Sequence, residues 1–312
     1  MQRLSQKVQV KTLNRRIPSI FSLFLFFFLG TSLFARSPQP ELGKQVFHAA
    51  GGCGCHTDTE NGGVPLAGRR EVRTPFGSYY GTNITPDPLH GIGSWSDEDF
   101  IRAMTEGLSP DGKHYFPVFP YTSFTRMKKD DLLHLKDYLF SLPAVKVPNR
   151  EHDVSFPFNW RGALDVWKKL FFNPGPFKAD PDRSESWNRG AYISEALAHC
   201  GECHTPRNMM GALDSSMHFA GSLYGPEGEL SPNITQDRET GIGEWSRGDL
   251  TWLLKTGMKP DGDDVQGLMA EAIENGYRHL TDYDLEAIAE YLESVPPVRN
   301  DLESEKKRNW KD

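Results

Sequence analysis

Two cysteine pairs, each followed directly by a histidine, are the residues in this chain with the most evident chemistry. Cys200 and Cys203 are separated by two residues, and His204 comes next. Positions i and i+3 lie on one face of a helical turn. Two thiols at this spacing can therefore add to the two vinyl groups of one porphyrin, while the adjacent imidazole binds its iron. Because Cys-x-x-Cys-His is the attachment pattern of c-type haem, we predict a haem c at these three residues.

Three other chemistries use the same residue types. A zinc site needs two further ligands at suitable spacing, and a redox dithiol does not need His204. All four cysteines of the chain lie in the two pairs, so two disulfides are a third interpretation for an exported protein. The histidine that follows each pair favours haem over all three.

The first cysteine pair departs from the pattern by one residue. A single residue separates Cys53 from Cys55, and His56 follows. A glycine lies ten residues before each pair, Gly43 in one case and Gly190 in the other. This alignment places the missing residue between the two cysteines. Residues two apart do not share a helical face, so the motif predicts a second haem c whose mode of attachment is open.

Three interpretations of the shortened motif remain. The backbone can distort there, helped by neighbouring glycines, so that both cysteines form thioethers. Alternatively only one thioether forms, and Cys55 is then favoured because it stays next to His56. The third interpretation is a degenerate repeat without haem, which the intact repeat around the motif disfavours. A disulfide between Cys53 and Cys55 would be strained.

The second axial ligand of each iron is expected to be a methionine, because methionine opposite histidine raises the reduction potential of an electron-transfer haem. In the second half of the chain we predict Met269, which lies between two predicted helices, and Met258 is the competitor. A core-filling methionine is the structural alternative.

The axial ligand in the first half of the chain is harder to predict. Phe119 takes the place of Met269 in the repeat alignment, and phenylalanine cannot bind iron. We predict Met127, although its counterpart Leu280 indicates a core position. A haem with an open coordination site, or one bound by a histidine such as His114, is the alternative.

An internal repeat organises the chain. Residues 83–85 recur 150 positions later as residues 233–235, and residues 91–96 recur at the same offset. A period this long indicates duplicated domains rather than a solenoid. The apolar periodicity is helical, and no convincing strand pattern appears. We predict an all-α fold of two tandem domains, one for each haem motif. The predicted boundaries are 36–152 for domain 1, 153–186 for an apolar connector that packs on both domains, 187–302 for domain 2 and 303–312 for a polar tail.

Local signals support this helical interpretation. Ser96 with Asp99, and Ser246 with Asp249, form capping boxes that begin corresponding helices. The Asn-Ile-Thr sequences at Asn83 and Asn233 match a glycosylation sequon, but their repetition at one place in each half favours a structural role. The tryptophans that follow them in each repeat are expected either to pack against haem or to lie in the core.

The N-terminal segment, residues 1–35, has the pattern of a secretory signal. Five basic residues and no acidic residue accompany an apolar run over 17–34. We expect a cleaved signal peptide or, alternatively, a retained membrane anchor, and an exported, periplasmic location in either case. Without this segment 30 basic residues oppose 42 acidic ones. The net charge of about −12 disfavours nucleic acid and suits docking to a basic protein patch.

Several longer stretches together resemble a known family, the cytochrome c subunits of bacterial membrane-associated alcohol, gluconate and related dehydrogenases. These stretches are residues 82–87, 91–96, 116–123, 156–161, 187–192 and 199–208. The resemblance covers about residues 40–297 and implies tandem cytochrome c folds. It also implies that Cys203 and His204 attach and ligate one haem, and Cys55 and His56 the other.

The same resemblance implies a role in electron transfer. Family members accept electrons from a quinoprotein, flavoprotein or molybdenum dehydrogenase and pass them to a downstream acceptor in the respiratory chain. Many have three haem domains and a C-terminal anchor, whereas this chain has two predicted haem domains and a polar tail. The alternative hypothesis is a dihaem enzyme, similar to a thiosulfate dehydrogenase or peroxidase, that uses an open iron at the first haem.

Overall fold

The computed structural model describes residue 9, residues 36–302 and residue 304. The predicted signal peptide or anchor and the predicted polar tail therefore lie, apart from residues 9 and 304, outside the described residues. Across the part of the chain that is described, none of the helices combines the length and the apolar character needed to cross a bilayer.

The first repeat is mainly helical. Its elements are α1 (Pro40–Ala49), a 3₁₀ turn (Gly51–His56), strands β1 (Glu71–Thr74) and β2 (Gly77–Tyr80), α2 (Asp97–Glu106), α3 (Tyr121–Phe124) and α4 (Lys129–Ser141). The connector that follows contributes β3 (Asp153–Val154) and α5 (Ala163–Phe171).

The second repeat has the same order of helices. Its elements are α6 (Glu185–Tyr192), a π-helical turn (Ile193–Leu197), α7 (Gly201–His204), 3₁₀ turns (Ser215–Met217 and Pro226–Gly228), α8 (Arg247–Thr256), α9 (Gly267–Asn275), a 3₁₀ turn (Tyr277–His279) and α10 (Asp282–Glu293).

The predicted capping boxes are present at both corresponding helices. The Ser96 hydroxyl accepts the amide N–H of Asp99 at 3.0 Å, and the Asp99 carboxylate accepts the N–H of Ser96 at 3.2 Å. Ser246 and Asp249 make the same two bonds at the start of α8. These bonds satisfy amide groups that have no partner inside the helix. Both helices end at a left-handed glycine, Gly107 and Gly257.

Each repeat is closed by contact between its first and last helices. A Cβ atom at Gly43 of α1 would overlap the carbonyl of His134 in α4, and one at Gly190 of α6 would overlap the carbonyl of Ala287 in α10. The two backbones are therefore in close contact in each repeat, and a side chain at either glycine would force them apart. Gly43 and Gly190, from which the ten-residue spacing to each cysteine pair is counted, therefore occupy equivalent positions in the two repeats.

A three-stranded antiparallel sheet, in the order β1-β2-β3, lies in the first repeat and the connector. The expectation of no strands is wrong here, although helical residues far outnumber strand residues in the described part of the chain. Glu71 pairs with Tyr80 and Thr74 with Gly77, so β1 and β2 form a tight hairpin. Strands of four residues or fewer are too short for alternation to rise above chance in the sequence.

The connector contacts both repeats. The indole N–H of Trp167 in α5 donates to the carbonyl of Met210 at 2.9 Å, and the N–H of Phe177 donates to the carbonyl of Arg126 at 2.9 Å. The described residues from Pro38 onward belong to one compact unit. One core cluster contains buried residues of both repeats. The predicted domain boundaries stay predictions.

The repeated asparagines lie inside the fold and have a structural role. Asn233 is 3 % exposed. Its amide donates to the carbonyl of Val298 at 2.7 Å, and its side-chain oxygen accepts the N–H and the hydroxyl of Thr235 at 2.9 and 2.7 Å. Asn83 makes the corresponding bonds in the first repeat. In each repeat the asparagine joins a loop to the segment that follows the last helix.

Replacing Asn233 with alanine is expected to lower the free energy of unfolding by about 2–4 kcal/mol, because several buried polar groups lose their partners at once. Urea denaturation of the haem-loaded protein measures the change. Asn61→Ala is the control, since the Asn61 amide bonds only to the exposed carboxylate of Asp58. Equal stability losses in the two variants would contradict the structural role.

Candidate haem-binding sites

The two motif histidines are held in the same way. Nδ1 of His204 lies 2.7 Å from the carbonyl oxygen of Pro232, and Nδ1 of His56 lies 2.6 Å from that of Thr82. A carbonyl oxygen only accepts, so each Nδ1 carries the proton and each Nε2 keeps its lone pair. Burial lowers the pKa of both imidazoles and is only partly offset by these hydrogen bonds. Both rings are therefore neutral and ready to bind a metal through Nε2.

The backbone around the two histidines is also equivalent. The carbonyl of His204 accepts the N–H of Gly221 at 2.7 Å, and that of His56 accepts the N–H of Gly68 at 2.8 Å. The shortened first motif thus ends in the same local structure as the complete second one.

The second motif forms a short helical turn. The N–H of His204 donates to the carbonyl of Cys200 at 2.9 Å, and none of the four cysteines takes part in a disulfide. Burial raises the pKa of the Cys200 and Cys203 thiols to about 12, so both are protonated at neutral pH. The described residues contain no group of three or more His, Cys, Asp or Glu side chains placed to hold a metal ion.

The backbone of the first motif is distorted. Gly51, Gly52 and Cys53 have φ values of 72°, 74° and 53°, all in the left-handed region. Such a run is accessible to glycine at little cost and is unusual for cysteine. Cys53 and Cys55 both line one large cavity. The predicted backbone distortion is therefore present, and the number of thioethers at this motif stays a prediction.

The structure also relocates the missing residue. In the second repeat the N–H of Ala198 donates five residues back to Ile193 at 2.7 Å, which is a π-helical bond. In the first repeat the N–H of Ala50 donates four residues back to Val46 at 2.9 Å. The second repeat therefore accommodates its extra residue in a π-helical turn that precedes Cys200. The alignment of the sequences had placed this one-residue difference between the two cysteines of the motif. A π-helical turn is one inserted residue within a helix, which counting along the chain does not reveal.

Both motifs open onto one cavity of about 1740 Å³. Pockets for single small ligands usually measure roughly 300–1,000 Å³, so this space is large enough for two bulky ones. The repeated tryptophans Trp95 and Trp245 line it together with many aliphatic side chains. An apolar cavity with imidazole and thiol groups on its wall fits two c-type haems.

The methionines predicted as axial ligands reach this cavity. Met269 on α9 is partly buried and lines it, and Met127 is buried and lines it as well. The competitors Met258 and His114 are not among the lining residues. Iron ligation by Met269 and Met127 stays a prediction.

Glu202, inside the second motif, was not singled out in the sequence. Its carboxylate accepts the hydroxyls of Thr122 and Ser123 from the first repeat, each at 2.7 Å, and it pairs with Arg207. Burial acts to raise the pKa of this carboxyl, but Arg207 and the two hydroxyls outweigh burial and hold it below its usual value. The two residues between these cysteines thus include a buried anion at the contact of the two repeats.

Arg70 was likewise not predicted as a site residue. Its guanidinium pairs with Glu271, and its Nε lies 3.2 Å from Glu227. Both carboxylates belong to the second repeat, and Arg70 lies in the first, between its haem motif and β1. Only tertiary structure brings these charges together.

The mainly helical fold and two cysteine–histidine motifs on a shared apolar cavity define the class as c-type cytochromes. The chain is 40 % identical over 260 residues to a dihaem c-type cytochrome of Cereibacter sphaeroides, covering 82 % of this chain and 86 % of the relative. The chain therefore belongs to the dihaem c-type cytochrome family. No family model matches it.

Cytochrome subunits of dehydrogenases are also similar to this chain. It is 39 % identical over 264 residues to the fructose dehydrogenase cytochrome subunit of Gluconobacter japonicus. It is 36 % identical over 267 residues to the cytochrome c subunit of the quinone alcohol dehydrogenase of Gluconobacter oxydans. The alignments cover 84 % and 82 % of this chain but only 54 % of each subunit. The suspected resemblance is confirmed, and the chain spans about half the length of these two relatives.

Proposed function

We propose that this protein is an exported dihaem electron carrier that accepts electrons from a partner dehydrogenase and passes them to a downstream acceptor in the respiratory chain. The observation that carries the proposal is the pair of neutral histidines, His56 and His204, each with Nδ1 bonded to a carbonyl and Nε2 available on one shared cavity. Bound haem iron supplies reversible one-electron oxidation and reduction. The protein supplies its ligands, its apolar surroundings and its attachment.

The residues assigned to the two haems follow the repeat. Haem 1 is attached at the first motif and haem 2 at the second, each through both cysteines, since all four cysteines line the cavity. The proposed set is Cys53, Cys55, His56 and Met127 for haem 1, and Cys200, Cys203, His204 and Met269 for haem 2.

The partner is proposed from the relatives and from charge. The names of the similar proteins are those of cytochrome subunits of fructose, alcohol and gluconate dehydrogenases. The acidic net charge suits docking to a basic patch on such an enzyme. A periplasmic location follows from the basic and apolar N-terminal pattern, which would direct export and, if retained, anchor the chain.

The proposal is tested on protein produced with a working cytochrome c maturation system. We expect two haems per chain by pyridine haemochrome assay, a mass increase of two haems that survives denaturation, and two reversible one-electron steps in a redox titration. A single haemochrome band at the position of two-thioether haem is expected. A second, shifted band would instead show one thioether at the first site.

Two outcomes would contradict the carrier function. Colourless protein from the same cells would remove its basis altogether. Strong carbon monoxide binding to the reduced protein, together with turnover of peroxide or thiosulfate, would show that the chain is a dihaem enzyme.

A further inference from the structure

The helix that bears Met269, α9, packs against the haem motif of the other repeat. A Cβ atom at Gly52 would lie 2.6 Å from the Cβ and from the carbonyl oxygen of Asn275, the last residue of α9. A Cβ atom at Gly276 would lie 2.5 Å from the Cα of Gly51. The backbone of the first motif and the end of α9 are therefore in direct contact, and only glycines allow it.

An ion pair with a buried guanidinium holds the middle of the same helix. Two guanidinium nitrogens of Arg70 bond to the two carboxylate oxygens of Glu271, and the second of these bonds measures 3.2 Å. The Arg70 side chain is 10 % exposed and the Glu271 side chain 34 % exposed, so the guanidinium is largely removed from water while the carboxylate is partly accessible. Glu271 lies two residues after Met269. A third contact comes from within the second repeat, where Glu229 accepts the N–H of Leu268 at 3.1 Å.

The arrangement is reciprocal. In the first repeat α3 lies in the region that corresponds to α9, shortly before Met127. Its Thr122 and Ser123 hydroxyls bond to Glu202 of the second motif. Phe124 of α3 stacks on His199, next to Cys200, with ring centroids 5.2 Å apart. The first motif thus contacts α9, which carries Met269. The second motif contacts α3, which lies shortly before Met127.

We propose that the first haem motif is remodelled to hold the axial ligand of the second haem, with Gly52 and Arg70 acting as positioning residues for Met269. The left-handed backbone at Gly51–Cys53 then has a structural role, because it places Gly51 and Gly52 in contact with the C-terminal end of α9. The ligation of one haem thereby depends on the structure of the other haem's site. The inference rests on the proposed function, because it requires Met269 to bind iron.

The test uses the full haem-loaded protein and the far-red charge-transfer band of methionine-ligated ferric haem. Met269→Ala identifies the part of this band that belongs to haem 2. We expect Arg70→Gln and Gly52→Ala each to remove that same part, and carbon monoxide to bind one haem in the reduced variants. Adding Arg70→Gln to Met269→Ala should cause no further loss, since both changes act on one ligand.

Matched controls separate positioning from general strain. Gly112 has a φ of 78°, close to that of Gly52, but a Cβ atom there would meet nothing within 4 Å. Arg247 pairs with Glu293 on an exposed surface of the second repeat. Gly112→Ala and Arg247→Gln should therefore leave the band unchanged.

The outcomes separate the inference from the function on which it rests. If Met269→Ala leaves the band intact, Met269 is not the ligand and the inference fails with that assignment, although a two-haem carrier remains. If Met269→Ala removes the band but Arg70→Gln and Gly52→Ala, with both haems bound, retain it fully, the positioning inference alone is overturned. Arg70→Gln keeps the test valid should Gly52→Ala fail to mature.

Discussion

Replacing His204 with alanine is expected to reduce the haem content from two per chain to one. The imidazole is the predicted iron ligand of haem 2, and its Nδ1 is fixed by the carbonyl of Pro232. Without it this motif would offer no imidazole to the iron of haem 2, and the carbonyl of Pro232 would lose its donor. The first haem should remain, because His56 is held by its own carbonyl. Pyridine haemochrome assay per mole of protein measures the ratio.

The matched control is His134→Ala on α4, a histidine that does not line the cavity. It should leave two haems per chain. Retention of two spectroscopically unchanged haems in His204→Ala would show that this imidazole is not the iron ligand.

Replacing Glu202 with alanine is expected to lower the free energy of unfolding by about 3–5 kcal/mol. The change removes a buried carboxylate and leaves Arg207, whose side chain is 30 % exposed, without its ion-pair partner. It also leaves the hydroxyls of Thr122 and Ser123 without their acceptor at the contact between the repeats. Urea denaturation monitored by far-ultraviolet circular dichroism gives the difference. Glu60→Ala, at an exposed position, is the control and should change stability by well under 1 kcal/mol.

The Glu202 carboxylate also predicts that the free energy of unfolding depends on pH. Its pKa in the folded protein is lowered, because Arg207 and the two hydroxyls outweigh burial. A lowered folded-state pKa stabilises the protein above the unfolded value of about 4.3, and this contribution is lost as pH falls below it. The stability difference between the native protein and Glu202→Gln should therefore be constant near neutral pH and narrow below about pH 4.3. A difference that widens on acidification would show that the carboxyl is not held as an anion.

The features that were predictable from sequence are those set by neighbours along the chain. The spacing of Cys200, Cys203 and His204 is local, and so are the capping boxes at Ser96 and Ser246 that begin α2 and α8. The family was recognisable for the same reason, since its motifs are short continuous stretches. Hydrogen bonds between residues three or four apart depend on backbone geometry that the sequence specifies directly.

Tertiary structure alone decided how the two haem sites are joined. Arg70 and Glu271 are 201 residues apart in the chain, and Thr122 and Glu202 are 80 apart, so no local pattern marks them as pairs. The shared cavity and the packing of α9 on Gly52 likewise arise only when the repeats meet. Burial makes an unpaired charge costly and makes an added side chain at a packed glycine clash. It is a property of the assembled fold and not of any single segment.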